Sequence, residues 1–216
     1  MLILIGKYKF LTYLSLKHKD MSLQGQRTTT TAMNWDDFKS LISKLERDGQ
    51  YKFCLLITIG VFTGLRISDL LQLRFNQFDN ADILTVQEKK TKKIRRIKIN
   101  TDLKEIVDRV KKKMNVSDTD LYIFVNKYGT KPIDKSYVNV KLKEIFNQYN
   151  IVLDENVSSH LFRKTLGNRV LRLNNYSGES VILLMELFGH SSPAITKKYL
   201  GIREREIHDV YDSLRL

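Results

Sequence analysis

The sequence predicts a mainly α-helical domain with one small antiparallel β-sheet. Three observations carry that reading. Apolar residues recur at three- and four-residue spacing through most of residues 34–200. One stretch, 83–99, is instead β-rich, with isoleucines alternating with charge. Apolar residues make up 42% of the chain, enough to bury a core.

The compact region begins near Asn34, which can cap a helix whose first turn carries Asp36 and Asp37. Trp35, Phe38, Leu41, Ile42 and Leu45 follow as an apolar stripe. Residues 51–63 are nearly all apolar and read as a buried helix, with Cys54 as an inert core thiol. Gly64 ends that run, and another helix starts near Ser68 and Asp69. Residues 83–87 and 94–99 form a hairpin with a basic tip at Lys90-Thr91-Lys92. Helices are expected at about 102–114, 135–149, 159–174, 178–188 and 192–200, with a terminal one from about 203. In that last segment Ile207, Val210, Tyr211 and Leu214 make an apolar stripe that packs either on its own domain or on a neighbouring copy. Residues 1–33 read as an extension and linker. Gln24–Thr31 is polar and aperiodic, and a short helix is expected around Tyr8–Leu16. Residues 34–216 read as one domain.

Lys and Arg number 37 against 24 Asp and Glu, a net charge of +13. That excess favours a polyanionic partner, nucleic acid ahead of a membrane surface. A single cysteine excludes an intramolecular disulfide framework and any zinc site built from several thiolates. The apolar start, Met1–Ile5, is broken by Lys7 and Lys9, far short of a membrane span, and no signal-peptide pattern follows. The expected compartment is the cytoplasm.

Four local features could carry chemistry. In Thr63-Gly64-Leu65-Arg66-Ile67-Ser68-Asp69, Arg66 lands at a turn beside the core and needs an anion, either Asp69 or an external one. From Lys89 to Lys98, seven of ten residues are Lys or Arg. These are Lys89, Lys90, Lys92, Lys93, Arg95, Arg96 and Lys98, suited to DNA phosphates or to guarding an exposed strand edge. His160 and Arg163 share a helix face, either around a common anion or as two surface polar groups. Leu187-Phe188-Gly189-His190 is followed nine residues later by Tyr199, a nucleophile or a partly buried tyrosine. Together, two arginines, a lysine, two histidines and a tyrosine suit one phosphodiester. Its non-bridging oxygens gain negative charge during attack, and paired guanidiniums bind such oxygens well. No acidic cluster with metal-ligand spacing accompanies them, which disfavours a two-metal nuclease.

These boxes, in this order and spacing over about 34–202, resemble the tyrosine recombinase, or phage integrase, family. Thr63–Arg66 with Asp69 is similar to the family's first arginine box. His160–Thr165 resembles its His-x-x-Arg box, with Lys164 where many relatives carry histidine. Leu187–Ser192 resembles the Gly-His box, Tyr199 holds the nucleophile position, and Lys90 matches the hairpin lysine. The resemblance implies the catalytic-domain fold of that family and a site-specific recombinase or integrase of a mobile element. Tyr199 would form a 3′-phosphotyrosyl bond with double-stranded DNA. Arg66 and Arg163 would hold the phosphate oxygens, and Lys90 would protonate the leaving 5′-oxygen. His160 would assist proton transfer and His190 would donate to the phosphate. Asp69 would buttress Arg66, and Lys89, Lys92, Lys93, Arg95 and Arg96 would contact DNA. No cofactor, metal or ATP is implied. A homotetramer on DNA and a monomer in solution are expected. The family's separate core-binding domain has no counterpart in residues 1–33, so a fragment or a small single-domain relative with reduced DNA affinity is expected. The alternative is a non-catalytic DNA-binding regulator on the same fold.

Overall fold

The structure is a computed structural model and describes residues 31–153, 156–202 and 210–214. The expected helix at Tyr8–Leu16, the linker up to residue 30 and the start of the tail helix with Ile207 lie outside the described residues. In chain order the helices are α1 (Trp35–Arg47), α2 (Tyr51–Thr63) and the single turn α3 (Ile67–Leu70), then α4 (Thr101–Lys113) and α5 (Lys135–Gln148). The last three are α6 (His160–Leu173), α7 (Gly178–Phe188) and α8 (Pro193–Leu200). Between α3 and α4 lie a 3-10 turn (Phe75–Gln77) and a two-stranded antiparallel sheet, β1 (Ile83–Gln87) and β2 (Ile94–Lys98).

Each element forms for a local reason. Asn34 caps α1 by accepting from the Asp36 amide, with Asp36 and Asp37 against the positive helix end. Phe38, Leu41, Ile42 and Leu45 are the buried face, as the spacing predicts. α2 is buried nearly all round and forms the centre of the main core, packed by α1, α4 and α6. Burial pushes the Cys54 thiol up to about 12, so it is a packing residue. α6 crosses close to α2 because Gly60 has no side chain there. A Cβ would lie 2.5 Å from the Phe162 ring. In the hairpin, Leu84 and Val86 point inward from β1 while Gln87 pairs with Ile94 and Ile83 with Lys98.

A second, smaller cluster gathers Leu171, Val181, Leu184, Phe188, Leu200 and Ile202 from α6, α7, α8 and the residues just after α8. α6 bridges the two, with Phe162 in the main core and Leu171 in the small one. No helix among the described residues is long and apolar enough to cross a membrane.

Glu46 ties α1 to α4. Arg109 donates to it through Nε at 2.8 Å and Nη2 at 2.9 Å, and Lys113 adds a bond at 2.9 Å. The Arg109 bond is the main cause that holds its carboxyl at about 2, below the usual 4.5, against the opposing effect of burial. A depressed carboxylate adds stability that is fully present above the unfolded value and lost as pH falls through the folded one. That shift alone corresponds to roughly 3 kcal/mol, and solvent around the half-exposed Arg109 screens part of it. Glu46→Gln is therefore expected to cost about 1–2 kcal/mol at neutral pH. It should also flatten the loss of stability between pH 4.5 and 2, as read from urea midpoints of both proteins.

Candidate active site

Gly64 closes α2 in the left-handed conformation, φ 59°, where a Cβ would also meet Leu166 at 2.7 Å. The chain turns sharply there, and Arg66 emerges as the residue capping α3. Across from it the hairpin closes where the Glu88 amide donates to Lys93 O and the Lys92 amide to Glu88 O, each at 2.9 Å. Lys89, Lys90, Thr91 and Lys92 thus form the tip, and all four are exposed. α6 opens with His160 and carries Arg163 one turn on, while Leu161 and Phe162 between them are fully buried. α7 ends at Gly189, φ 63°, and releases His190. Ser192 caps α8 by accepting from the Ile195 amide, and Pro193 starts the helix that returns Tyr199 to the site.

Arg66, Lys90, His160, Arg163, His190 and Tyr199 all line one cleft of about 460 Å³. The carbonyl of Phe188, at the negative end of α7, accepts from Arg163 Nη2 at 2.8 Å and from Arg66 Nη2 at 3.1 Å. Arg163 is 5% exposed, and its Nη1 is buried without a hydrogen-bond partner among the described residues. Burial pushes Arg163 down to about 10, so it remains a cation at neutral pH. Two guanidiniums, one with unused donor capacity, leave the cleft strongly suited to an anion.

Tyr199 packs edge-on against Phe188 and His190, ring centroids 5.6 and 5.2 Å away. Its hydroxyl donates to the backbone carbonyl of His160 at 3.4 Å, not to the imidazole. Burial pushes the phenol above its usual value, while Arg163 and Arg66 pull the other way by favouring the phenolate. Burial also lowers both histidines. Lys135, Arg163 and Lys164 add to the effect at His160, and Arg163 and Arg66 at His190. Both imidazoles are therefore neutral at pH 7. His190 Nδ1 lies 3.0 Å from the hydroxyl of buried Thr196. With that hydroxyl donating, the ring proton sits on Nε2.

Two expectations are corrected. Asp69 does not buttress Arg66 directly. Its Oδ1 accepts from the Lys89 amide at 3.0 Å, holding the start of the hairpin tip, and the acid beside Arg66 is Glu88, with Arg66 Nη1 at 2.7 Å. Arg95 is not free for DNA. It turns inward, donating to Glu88 at 3.4 Å and to the carbonyl of Thr63 at 3.2 Å. Lys89, Lys92, Lys93 and Arg96 are exposed. Sequence reasoning missed Glu88, although it is the one acid between Asp82 and Asp102 and precedes the basic run. It also missed Lys135, which lines the cleft from the start of α5.

The phage integrase family profile matches residues 31–206. The chain belongs to the phage integrase family. Its fold is that of a tyrosine recombinase catalytic domain. The probable integrase/recombinase YoeC of Bacillus subtilis (strain 168) is 32% identical over 171 residues, which cover 79% of this chain and 86% of YoeC. A tyrosine recombinase of Thermosipho africanus (strain TCF52B) is 26% identical, over 83% of this chain and 60% of its own length. The tyrosine recombinase XerH of Campylobacter jejuni is 25% identical, with coverage of 77% and 47%. This integrase-family chain thus spans most of YoeC but only about half to three-fifths of those two longer recombinases. Among solved structures, the XerA recombinase superposes with a TM-score of 0.63 at 20% identity, covering 93% of this chain and 72% of XerA. The Tn1549 transposon integrase in complex with transposon right end DNA gives 0.62 at 21% identity, with coverage of 87% and 70%. At these identities both likenesses speak for the fold.

Proposed function

We propose that this integrase-family domain breaks and rejoins double-stranded DNA site-specifically, through a covalent 3′-phosphotyrosyl intermediate, in the movement of a mobile element. The observation that carries the reading is the meeting of Arg66, Lys90, His160, Arg163, His190 and Tyr199 in one cleft. Elements far apart in sequence supply them, and the two arginines already share a single acceptor oxygen there.

In this reading a scissile phosphate takes over the donors now given to the Phe188 carbonyl. Arg66 and Arg163 hold its non-bridging oxygens, and Nε2–H of His190 donates to it. The Tyr199 oxygen attacks phosphorus while the bond to the 5′-oxygen breaks. The phenol proton leaves towards neutral His160, and the Lys90 ammonium gives a proton to the 5′-oxygen. The phosphotyrosine keeps the energy of the cleaved bond, so attack by another 5′-hydroxyl reseals DNA without ATP. Lys89, Lys92, Lys93 and Arg96 provide sequence-independent phosphate contacts from the hairpin.

The test uses a cognate duplex selected from random-sequence DNA by binding to the protein, then nicked beside each candidate phosphate so that rejoining fails. A covalent protein–DNA adduct on a denaturing gel is expected. Its yield should be unchanged in EDTA at constant ionic strength, because side-chain cations supply the charge. Binding without any adduct would overturn the reading and favour a regulator. Loss of the adduct in EDTA, restored by Mg²⁺, would overturn the metal-independent mechanism. Assembly as a tetramer on DNA from free monomers belongs to the same proposal. It is supported by Val210, Tyr211 and Leu214, which are 61%, 69% and 74% exposed rather than packed on their own domain. Light scattering with and without the cognate duplex checks it.

A further inference from the structure

Glu88 sits where the anion-binding arginine and the hairpin tip meet. It is 3% exposed. Its Oε2 accepts from Arg66 Nη1 at 2.7 Å and from the Thr91 hydroxyl at 2.6 Å, and its Oε1 accepts from Arg95 at 3.4 Å. Burial pushes the Glu88 carboxyl up, but the Thr91 bond and the Arg66 charge outweigh it, so the group stays ionised. Thr91 directly follows Lys90, and Arg66 and Lys90 line the same cleft. One carboxylate oxygen therefore holds two residues from different elements: Arg66, which lines the cleft, and Thr91, whose neighbour Lys90 lines it.

We propose that Glu88 is a positioning residue that ties Arg66 to the hairpin tip through Thr91, so that Lys90 meets the leaving oxygen only when Arg66 is seated. The proposal rests on the strand-transfer reading for what Arg66 and Lys90 do. In that step the phosphorus–O5′ bond breaks and an N–H bond of the Lys90 ammonium breaks with it. The proton forms the 5′-hydroxyl and leaves a neutral amine. Glu88 transfers nothing and sets where Lys90 stands. Backbone bonds hold the exposed tip at Glu88 and Lys93, and Asp69 holds the Lys89 amide just before Lys90 at 3.0 Å; the Thr91 bond to Glu88 fixes the residue just after it, and Lys90 between them lines the cleft. The Thr91 hydroxyl and Arg66 meet on the same Glu88 oxygen, so a displacement of either one is felt by the other.

The experiment compares the full chain with Thr91→Val, Thr91→Ser and Glu88→Gln. Two measurements are made. The first is amide hydrogen exchange at residues 89–93 without DNA. The second is single-turnover adduct formation on the nicked cognate duplex, carrying either the ordinary 5′-oxygen or a 5′-sulfur at the scissile phosphate. A thiolate leaves without a proton, so a fault confined to Lys90 disappears on the sulfur substrate. Thr91→Val is expected to speed tip exchange about tenfold. It should slow the oxygen substrate by about 30-fold or more and leave the sulfur substrate within about fivefold. Thr91→Ser, which keeps the hydroxyl, restores both. Glu88→Gln should slow both substrates, the oxygen one more, because Arg66 also loses its anchor. If Thr91→Val cleaves the oxygen substrate within about threefold of the parent, or slows both substrates equally, Glu88 does not position Lys90. A parent that forms no adduct refutes the strand-transfer reading by itself. The tie is then judged by exchange alone, and unchanged tip exchange in Thr91→Val and Glu88→Gln refutes it.

Discussion

Tyr199→Phe is expected to bind the cognate duplex as the parent does and to form no covalent adduct, a fall of at least about 10⁴-fold in single-turnover cleavage. The substitution removes one oxygen. The ring contacts with Phe188 and His190 survive, and the hydroxyl gives up a long bond to the His160 carbonyl, at 3.4 Å, together with its interaction with Arg163. A bond of that length contributes little to stability, so the urea midpoint should shift by less than about 0.5 kcal/mol. Loss of chemistry without loss of fold or of binding separates the nucleophile from every packing role of the same side chain. A denaturing gel on which Tyr199→Phe still gives the parent's yield of adduct would assign the nucleophile elsewhere.

The next largest effect is expected at the arginines. Arg163→Ala and Arg66→Ala should each cost about 3–4 kcal/mol of transition-state stabilisation, the scale of losing one preorganised donor to a developing oxyanion. Binding should fall much less, because the exposed hairpin lysines keep their phosphate contacts. The two variants should differ in stability. Arg66→Ala leaves the buried Glu88 carboxylate with Arg95 at 3.4 Å and the Thr91 hydroxyl, so it should also lower the urea midpoint. Arg163 has no carboxylate partner among the ion pairs of the described residues, so removing it uncovers no buried anion. Single-turnover rates within a factor of a few of the parent for both variants would defeat the phosphate-cage reading.

The helices were legible because each announces itself locally. Asn34, Asn100, Asp134 and Ser192 cap the helices that follow them, and Gly64 and Gly189 end theirs in the left-handed region. The hairpin was legible from its alternation and its basic tip. Six of the residues that line the cleft, Arg66, Lys90, His160, Arg163, His190 and Tyr199, were legible as spaced boxes. What stayed hidden depends on contacts across the chain. No spacing rule separates Asp69, three residues from Arg66, from Glu88, twenty-two away, as its partner; local proximity favoured the wrong acid. Arg95 and Arg96 look alike in a basic strand. The pleat sends Arg95 inward to Glu88 and Arg96 outward, a distinction that needs the register of β1 against β2. The bridge between Arg74 and Tyr122 joins segments with no shared periodicity, so nothing local marks it.

The division of the hydrophobic interior into two clusters has a thermodynamic consequence. The Arg66 turn, Glu88 and the hairpin rest on the large cluster, whereas His190 and Tyr199 rest on the small one made by the ends of α6, α7 and α8. A cluster of six buried side chains supports a much smaller free energy of opening than the larger core does. Tyr199 therefore sits on the less stable of the two, and Phe188, whose carbonyl takes a donor from each arginine, carries any loosening of that cluster to Arg66 and Arg163 as well. Side chains such as Leu171, Leu184 and Leu200, none of which lines the cleft, thus set how firmly the cleft is held.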